Sequence, residues 1–392
     1  MEFMPCQYER LHEALSGYEK TGVPLVAYDG NVLKPAGMGD DIGLYYFIPK
    51  ISHALGISLD QSINVVFISV ILVSLFLGIL GVFLCFKRWW IRCLGVVELM
   101  LLAYRFFSQG AIYNIPSSIT IAIIPLFLYF AKGRKLSLPF VFFLSWAGVV
   151  IGVGNYLRVH AGTGVLIFMA IILLCYLQIS RKQKIGLVIL VAVTVLAPMV
   201  YFDHVLSQRD AYLRKNNPTY ERVPTRHVLW HSIYIGFGFL NNEYGIRYKD
   251  EIVIERVRLI SPETIYLSKK YETILKKEVF SFITRHPLFV ARTIFAKFGV
   301  ICLSILIFAN VGLIAVALHR KCWQVEIAFW SAIIFNSLFG VLVIPEERYL
   351  TGLITFATLY GIFSINETME CVTWGQIITL LHWNRGRSRC VG

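Results

Sequence analysis

Charge is what this sequence has least of. Only 16% of its 392 residues are Asp, Glu, Lys or Arg, against 57% hydrophobic, whereas a soluble domain is about a quarter charged. The apolar residues come in long blocks, so the chain reads as a polytopic membrane protein. Cysteine offers no framework. Cys6, Cys85, Cys93, Cys175, Cys302, Cys322, Cys371 and Cys390 are scattered, and none falls in the long polar stretch 203–297. No pair has metal-ligand spacing, so they are read as free thiols and no disulfide framework is inferred. The P-loop, the His-Glu-x-x-His pair and a Gly-x-Gly-x-x-Gly run before a strand are all absent, and Gly236-Phe-Gly238 lacks that context. There is no internal repeat and no low-complexity segment.

What is present is hydrophobic length and a sided distribution of basic residues. The net charge of +13 does not mark a nucleic-acid binder, because it is spread over short loops and the carboxy-terminal tail. Apolar blocks of spanning length run at 62–86, 91–112, 117–131, 137–157, 162–179, 184–202, 298–318, 326–344 and 349–365, about nine helices. Lys87, Arg88 and Arg92, then Lys132, Arg134 and Lys135, then Arg181, Lys182 and Lys184, then His319, Arg320 and Lys321 make basic loops. These alternate with the loops 108–116, 158–161, 203–297 and 345–348, and the positive-inside rule puts the basic set in the cytoplasm. The tail, with Arg385, Arg387 and Arg389, falls on the same side.

The expected fold is therefore an all-α polytopic membrane protein with a small, mostly helical extracytoplasmic insert. Its expected parts are an extracytoplasmic segment 1–61, helices 1 to 6 over 62–202, the insert 203–297, helices 7 to 9 over 298–365, and a cytoplasmic interfacial helix with basic tail over 366–392. No signal peptide or earlier helix precedes the exported first segment, so Met1 is expected to be an internal start, with another helix before it in the natural protein. In the insert, Ser261-Pro262-Glu263 reads as N-cap, first position and first-turn acid of a helix reaching Thr284, closed by His286-Pro287. A second helix is expected over Asp250–Leu259, and residues 370–383, with Trp374 and Trp383, read as interfacial.

Five places carry candidate chemistry. Asp40 and Asp41 lie in the Gly-rich run Pro35–Gly43, ahead of the first spanning block. Adjacent carboxylates repel, so they need a cation, a proton or open water. They suit a general base, a divalent-metal site such as Mg2+ or Mn2+, or both; the plain alternative is an N-cap for a helix starting near Ile42. Arg158 and His160, before Ala161-Gly162-Thr163-Gly164 and a helix start, suit an anion; alternatively Arg158 snorkels. Glu347, Arg348 and Tyr349 precede the last block. Arg348 suits phosphate and Glu347 would orient it, or the two simply pair. Trp230 and His231 suit a sugar or lipid-phosphate pocket, or His231 is packed against a backbone partner. Glu98 and Arg105, two turns apart inside the second block, share a face. Arg105 suits phosphate, or both pair with other helices.

Together these residues resemble the GT-C superfamily, polytopic mannosyltransferase-like glycosyltransferases that use polyprenyl- or dolichyl-phosphate sugars. The likeness rests on the acidic motif Asp40-Asp41 in a first outer loop, on Arg158-x-His160 with a small-residue turn, and on Glu347-Arg348-Tyr349 entering a late helix. The chain departs from the family in lacking the usual helix before the acidic loop and in carrying the insert 203–297. The resemblance implies inverting transfer of a sugar from a lipid phosphate to a glycan, lipid or protein hydroxyl at the extracytoplasmic face. It implies Asp40 or Asp41 as base and Arg158, His160, Arg348 and Arg105 around the phosphate, with Tyr349, Glu347, His231 and Trp230 touching substrate. The membrane would be a bacterial inner membrane, or the endoplasmic reticulum in a eukaryote. Two rivals stand beside this reading: an O-antigen ligase or polymerase, and a non-enzymatic transporter of lipid-linked sugars.

Overall fold

The computed structural model describes residues 5–30, 32–37, 41–111, 114–133, 135–218, 220, 222, 229–318 and 322–371. The amino-terminal part holds helix α1 (Pro5–Thr21), an antiparallel hairpin of β1 (Val26–Asp29) and β2 (Val32–Pro35), and helix α2 (Ile42–Leu55). Val26 pairs with Pro35 and Asp29 with Val32, and Gly30 takes the left-handed φ of 60° that the tight turn requires. Then come α3 (Leu59–Cys85), α4 (Trp89–Gln109), α5 (Asn114–Lys132), α6 (Leu138–Leu157) and α7 (Thr163–Ile171), which runs into a π-helical turn at Ile172–Tyr176. The long α8 (Arg181–Asn216) leads to α9 (Leu229–Gly236), α10 (Asp250–Ile260) and α11 (Lys269–Arg285). The chain closes with α12 (Pro287–Ala309), α13 (Val311–Leu318), α14 (Trp323–Leu342) and α15 (Thr351–Cys371).

Among the described residues six helices, α3, α5, α6, α8, α12 and α14, are long and apolar enough to cross a membrane. This is the pattern of an integral membrane protein that is almost wholly α-helical. The other three apolar blocks of the sequence fall on α4, on α7 with its π-turn, and on α15. Serine capping boxes fix two helix starts: Ser58 with Gln61 opens α3, and Ser180 with Gln183 opens α8.

Small residues let the helices approach closely. A Cβ on Gly78 or Gly81 of α3 would stand 2.5 Å from Ile121 or Pro125 of α5. Gly148 and Gly152, one turn apart on α6, face Thr194 and Val195 of α8 in the same way. α15 is the axis of the bundle. Its side chains from Thr351 to Ile365 are almost all buried, and it packs against α4, α5, α12, α13 and α14. Several of its polar groups find partners inside: the Thr351 and Ser117 hydroxyls bond each other at 2.8 Å, and Tyr360 donates to Glu326 at 2.7 Å.

Two expectations for the polar stretch change. The helix expected from Ser261 to Thr284 begins only at Lys269, because Ser268, not Ser261, caps it by accepting from the Tyr271 N–H at 3.2 Å. Leu267 turns into the left-handed region (φ 62°) and is fully buried; this inward turn interrupts the chain between α10 and α11. The edges also shift, since α8 runs on to Asn216 and α12 already starts at Pro287 in the N1 position. Between them, α9, α10 and α11 share a hydrophobic core of their own, with Tyr234, Val253, Val257, Leu267, Tyr271, Leu275 and Val279 at its centre. Cys85, Cys93, Cys175, Cys302 and Cys322 are free thiols. The expected interfacial helix 370–383 lies beyond the described residues from 372 onward.

Candidate functional site

Asp41 stands at the N-cap position of α2, yet its side chain makes no cap hydrogen bond. Its carboxylate reaches across instead, and the Val159 N–H donates to Asp41 Oδ1 at 2.9 Å. The reach depends on Gly43, where a Cβ would meet the Tyr156 carbonyl oxygen at 2.6 Å. With only hydrogen there, the first turn of α2 lies directly on the last turn of α6. Asp40, the other half of the acidic pair, lies outside the described residues.

The turn between α6 and α7 carries Arg158 and His160. The Ala161 N–H donates to the Arg158 carbonyl, the Thr163 N–H to the His160 carbonyl, and the Gly162 N–H to Asn155 Oδ1 at 2.8 Å. His160 sits at φ 63° in the left-handed region and is exposed, a mildly costly conformation for a residue with a Cβ. Arg158 points the other way. Its Nη1 donates to the Arg348 carbonyl at 3.1 Å, and its guanidinium stands 5.3 Å from the centre of the Tyr349 ring.

The connection from α14 to α15 brings Glu346, Glu347, Arg348 and Tyr349 to the same place. Arg348 Nε and Nη2 both contact Glu346 Oε2 at 2.7 Å, and its guanidinium lies 5.0 Å from the Tyr349 ring centre. So Tyr349 carries two arginines on its ring. Glu347 does not orient Arg348. Its Oε1 pairs with Arg105 Nη2 of α4 at 2.6 Å, and Arg105 also stacks 4.6 Å from the Phe308 ring centre. Glu346 is the N-cap and Glu347 the first residue of a short helical turn, Glu347–Tyr349, and each faces a different guanidinium. Arg105 Nε is buried and has no hydrogen-bond partner. Burial works to lower the Arg348 guanidinium, but Tyr349 and Glu346 outweigh it, and the net effect holds it above its ordinary value.

Two further residues hold this turn, and sequence reasoning passed over both. The Tyr248 hydroxyl, from the loop before α10, donates to the Tyr349 hydroxyl at 3.3 Å. Burial, then Tyr349, pushes the Tyr248 phenol above its ordinary value, so it stays a proton donor. Lys297 of α12 is buried and donates to the Val343 carbonyl at 2.7 Å, capping the end of α14. A lysine inside an apolar run is a signal that could have flagged it. Tyr248 carried no such signal, since its role depends on a fold contact 101 residues away in sequence.

The structure thus brings three connections together: Asp41 bonds the Val159 N–H beside Arg158, Arg158 bonds the Arg348 carbonyl and faces Tyr349, and Glu347 next to Arg348 pairs with Arg105. It places Trp230 and His231 elsewhere. His231 is buried inside the core shared by α9, α10 and α11, with Nδ1 bonded to the Tyr271 hydroxyl at 2.8 Å and Nε2 to Asp250 Oδ1 at 3.0 Å. Trp230 packs on Phe280 and lies under the Lys276 ammonium. Among the described residues no group of three or more His, Cys, Asp or Glu is gathered so as to hold a metal ion. Chemically, the α6–α7 turn carries a contact to a proton acceptor, Asp41, at Val159 and a guanidinium suited to an anion at Arg158. Comparison of the chain with protein-family models, curated proteins and solved structures finds no match.

Proposed function

We propose that this protein is a membrane glycosyltransferase of the GT-C type, moving a sugar from a polyprenyl-phosphate donor to an acceptor hydroxyl. The observation that carries the reading is the meeting of Asp41, Arg158 and Arg348, three residues from distant parts of the chain, in one contact chain. In the proposed reaction the acceptor hydroxyl gives its proton to Asp41, or to its neighbour Asp40, as it attacks the anomeric carbon. The bond to the lipid-phosphate oxygen breaks on the opposite face, which inverts the sugar. The leaving phosphate is held by the guanidinium groups of Arg158 and Arg348, with Arg105 beside them.

The topology that goes with this reading has nine spans, with α4, the α7 and π-turn pair, and α15 crossing beside the six longer helices. It puts the cluster and the 203–297 stretch on the extracytoplasmic side, as the basic loops require. The protein would sit in a bacterial inner membrane, or in the endoplasmic reticulum of a eukaryote, with a glycan, lipid or protein as acceptor.

The test is transfer or slow hydrolysis of a short-chain polyprenyl-phosphate sugar panel by purified protein in detergent. Asp41→Asn or Asp40→Asn is expected to abolish turnover while the protein still inserts and elutes as a single species. Full activity in both variants would remove the carboxylates from the chemistry. If the Arg158 and His160 variants were then inactive, a ligase acting on diphosphate-linked glycans would be the better reading.

A further inference from the structure

The anion site of the proposed transferase is already filled from within. Arg105, Arg158 and Arg348 bring three positive charges. Asp41, Glu346 and Glu347 bring three negative ones, and the two glutamates hold Arg348 and Arg105 at 2.7 and 2.6 Å. Among the described residues the formal charges of this cluster balance. The donors that Arg348 and Arg105 give to Glu346 and Glu347 become available only if those carboxylates move away.

We propose that Glu346 and Glu347 are built-in competitors, carboxylates that occupy Arg348 and Arg105 in the resting protein and are displaced by the phosphate of the lipid-linked substrate. The inference rests on the phosphate-binding reading of this site. Both glutamate side chains can leave easily. They are 39% and 48% exposed, so water takes over their solvation at little cost. A phosphate oxygen pair offers the guanidinium fork the same bidentate geometry as a carboxylate, and the monoester phosphate that leaves with the lipid carries more charge than either glutamate. Arg105 Nε, buried and without a partner, adds a donor that the carboxylate leaves unused. The arrangement keeps the arginines in place without leaving them as an open trap for any small anion.

The sign of the mutational effect separates this role from a structural one. A glutamate that merely holds its arginine in position weakens phosphate binding when it is removed; a competitor strengthens it. The measurement is the affinity of the full-length protein in detergent for farnesyl phosphate, by calorimetric titration, with farnesol as the probe lacking phosphate. Glu347→Gln and Glu346→Gln are expected each to tighten binding by roughly twofold to fivefold, the scale of a partly exposed ion pair. Glu347→Asp keeps the charge but is too short to reach Arg105, and is expected to tighten binding as well. Glu278→Gln, which removes an equivalent partner from Arg256 of α10, is expected to change nothing. Binding by the unaltered protein that is equal or weaker in the Glu346 and Glu347 variants overturns the inference and leaves the phosphate site standing. A gain in Glu278→Gln as large as theirs also overturns it, because the effect would then be net charge alone. If neither the unaltered protein nor any variant binds farnesyl phosphate, the phosphate reading fails and the inference fails with it.

Discussion

At the scale of single residues, the same side-chain chemistry serves two different ends in this protein. Arg158 joins the α6–α7 turn to the α14–α15 turn, while His231, equally suggestive in the sequence, ties α9 to α10 and α11. His231→Ala leaves Tyr271 without its partner and opens a void, which is expected to cost about 2–4 kcal/mol. Thermal unfolding and tryptic cleavage in the α10–α11 region would report it. A His231→Ala protein that melts normally but loses substrate binding would restore the pocket reading. Lysine at position 158 would keep the charge but lose the planar fork that reaches the Arg348 carbonyl and lies over Tyr349. Arg158→Lys is therefore expected to reduce turnover at least tenfold, the scale of one lost charge-assisted contact; turnover within twofold of normal would contradict the assignment. The residue types of the cluster were legible in the sequence, because Asp41, Arg158 and Arg348 stand beside glycine- or proline-containing turns at the edges of apolar blocks. Which glutamate meets which arginine was not, since it depends on how one short turn is rotated.

At the scale of elements, the site depends on where helices end and how closely they lie. Gly43 brings α2 onto α6, and the backbone oxygen of Tyr156 leaves no room for a methyl group. Gly43→Ala is expected to destabilise the protein by about 1–3 kcal/mol and to lower turnover by moving Asp41 away from Val159, although no reacting group has changed. An unaltered melting point with full turnover would show that α2 is free to shift. The sequence marked the apolar centre of each block well, because a run of Leu, Ile, Val and Phe needs no tertiary information to be recognised. It marked the ends poorly. Ser261 and Ser268 are both sound caps on local grounds, and burial of Leu267 decides between them. Likewise the polar stretch blurs into its flanks, since α8 and α12 carry their polar ends well past the apolar blocks.

At the scale of the whole molecule, the alternation of basic and non-basic loops and the meeting of the candidate residues make the same demand: the α2 start, the α6–α7 turn and the α14–α15 turn must share one side. A thiol reagent that does not cross membranes is expected to label Lys270→Cys on α11, but not Lys182→Cys at the start of α8, in sealed vesicles exposing the outer face. The opposite pattern would invert the topology and move the site to the cytoplasm. Inside the bundle, α15 ties down most of its hydroxyls locally: Thr355 and Ser364 bond carbonyls one turn back, and Thr368 donates to the Ala315 carbonyl.

The central position of α15 also has a consequence in time. A ribosome delivers α15 after every other described helix, yet its buried side chains from Leu353 to Ile365 form the axis around which α4, α5, α12, α13 and α14 are arranged. Those helices therefore have to hold their inward faces apart, against lipid, water or a chaperone, until α15 arrives to fill the gap between them. The described bundle closes around an element made after the ones it joins.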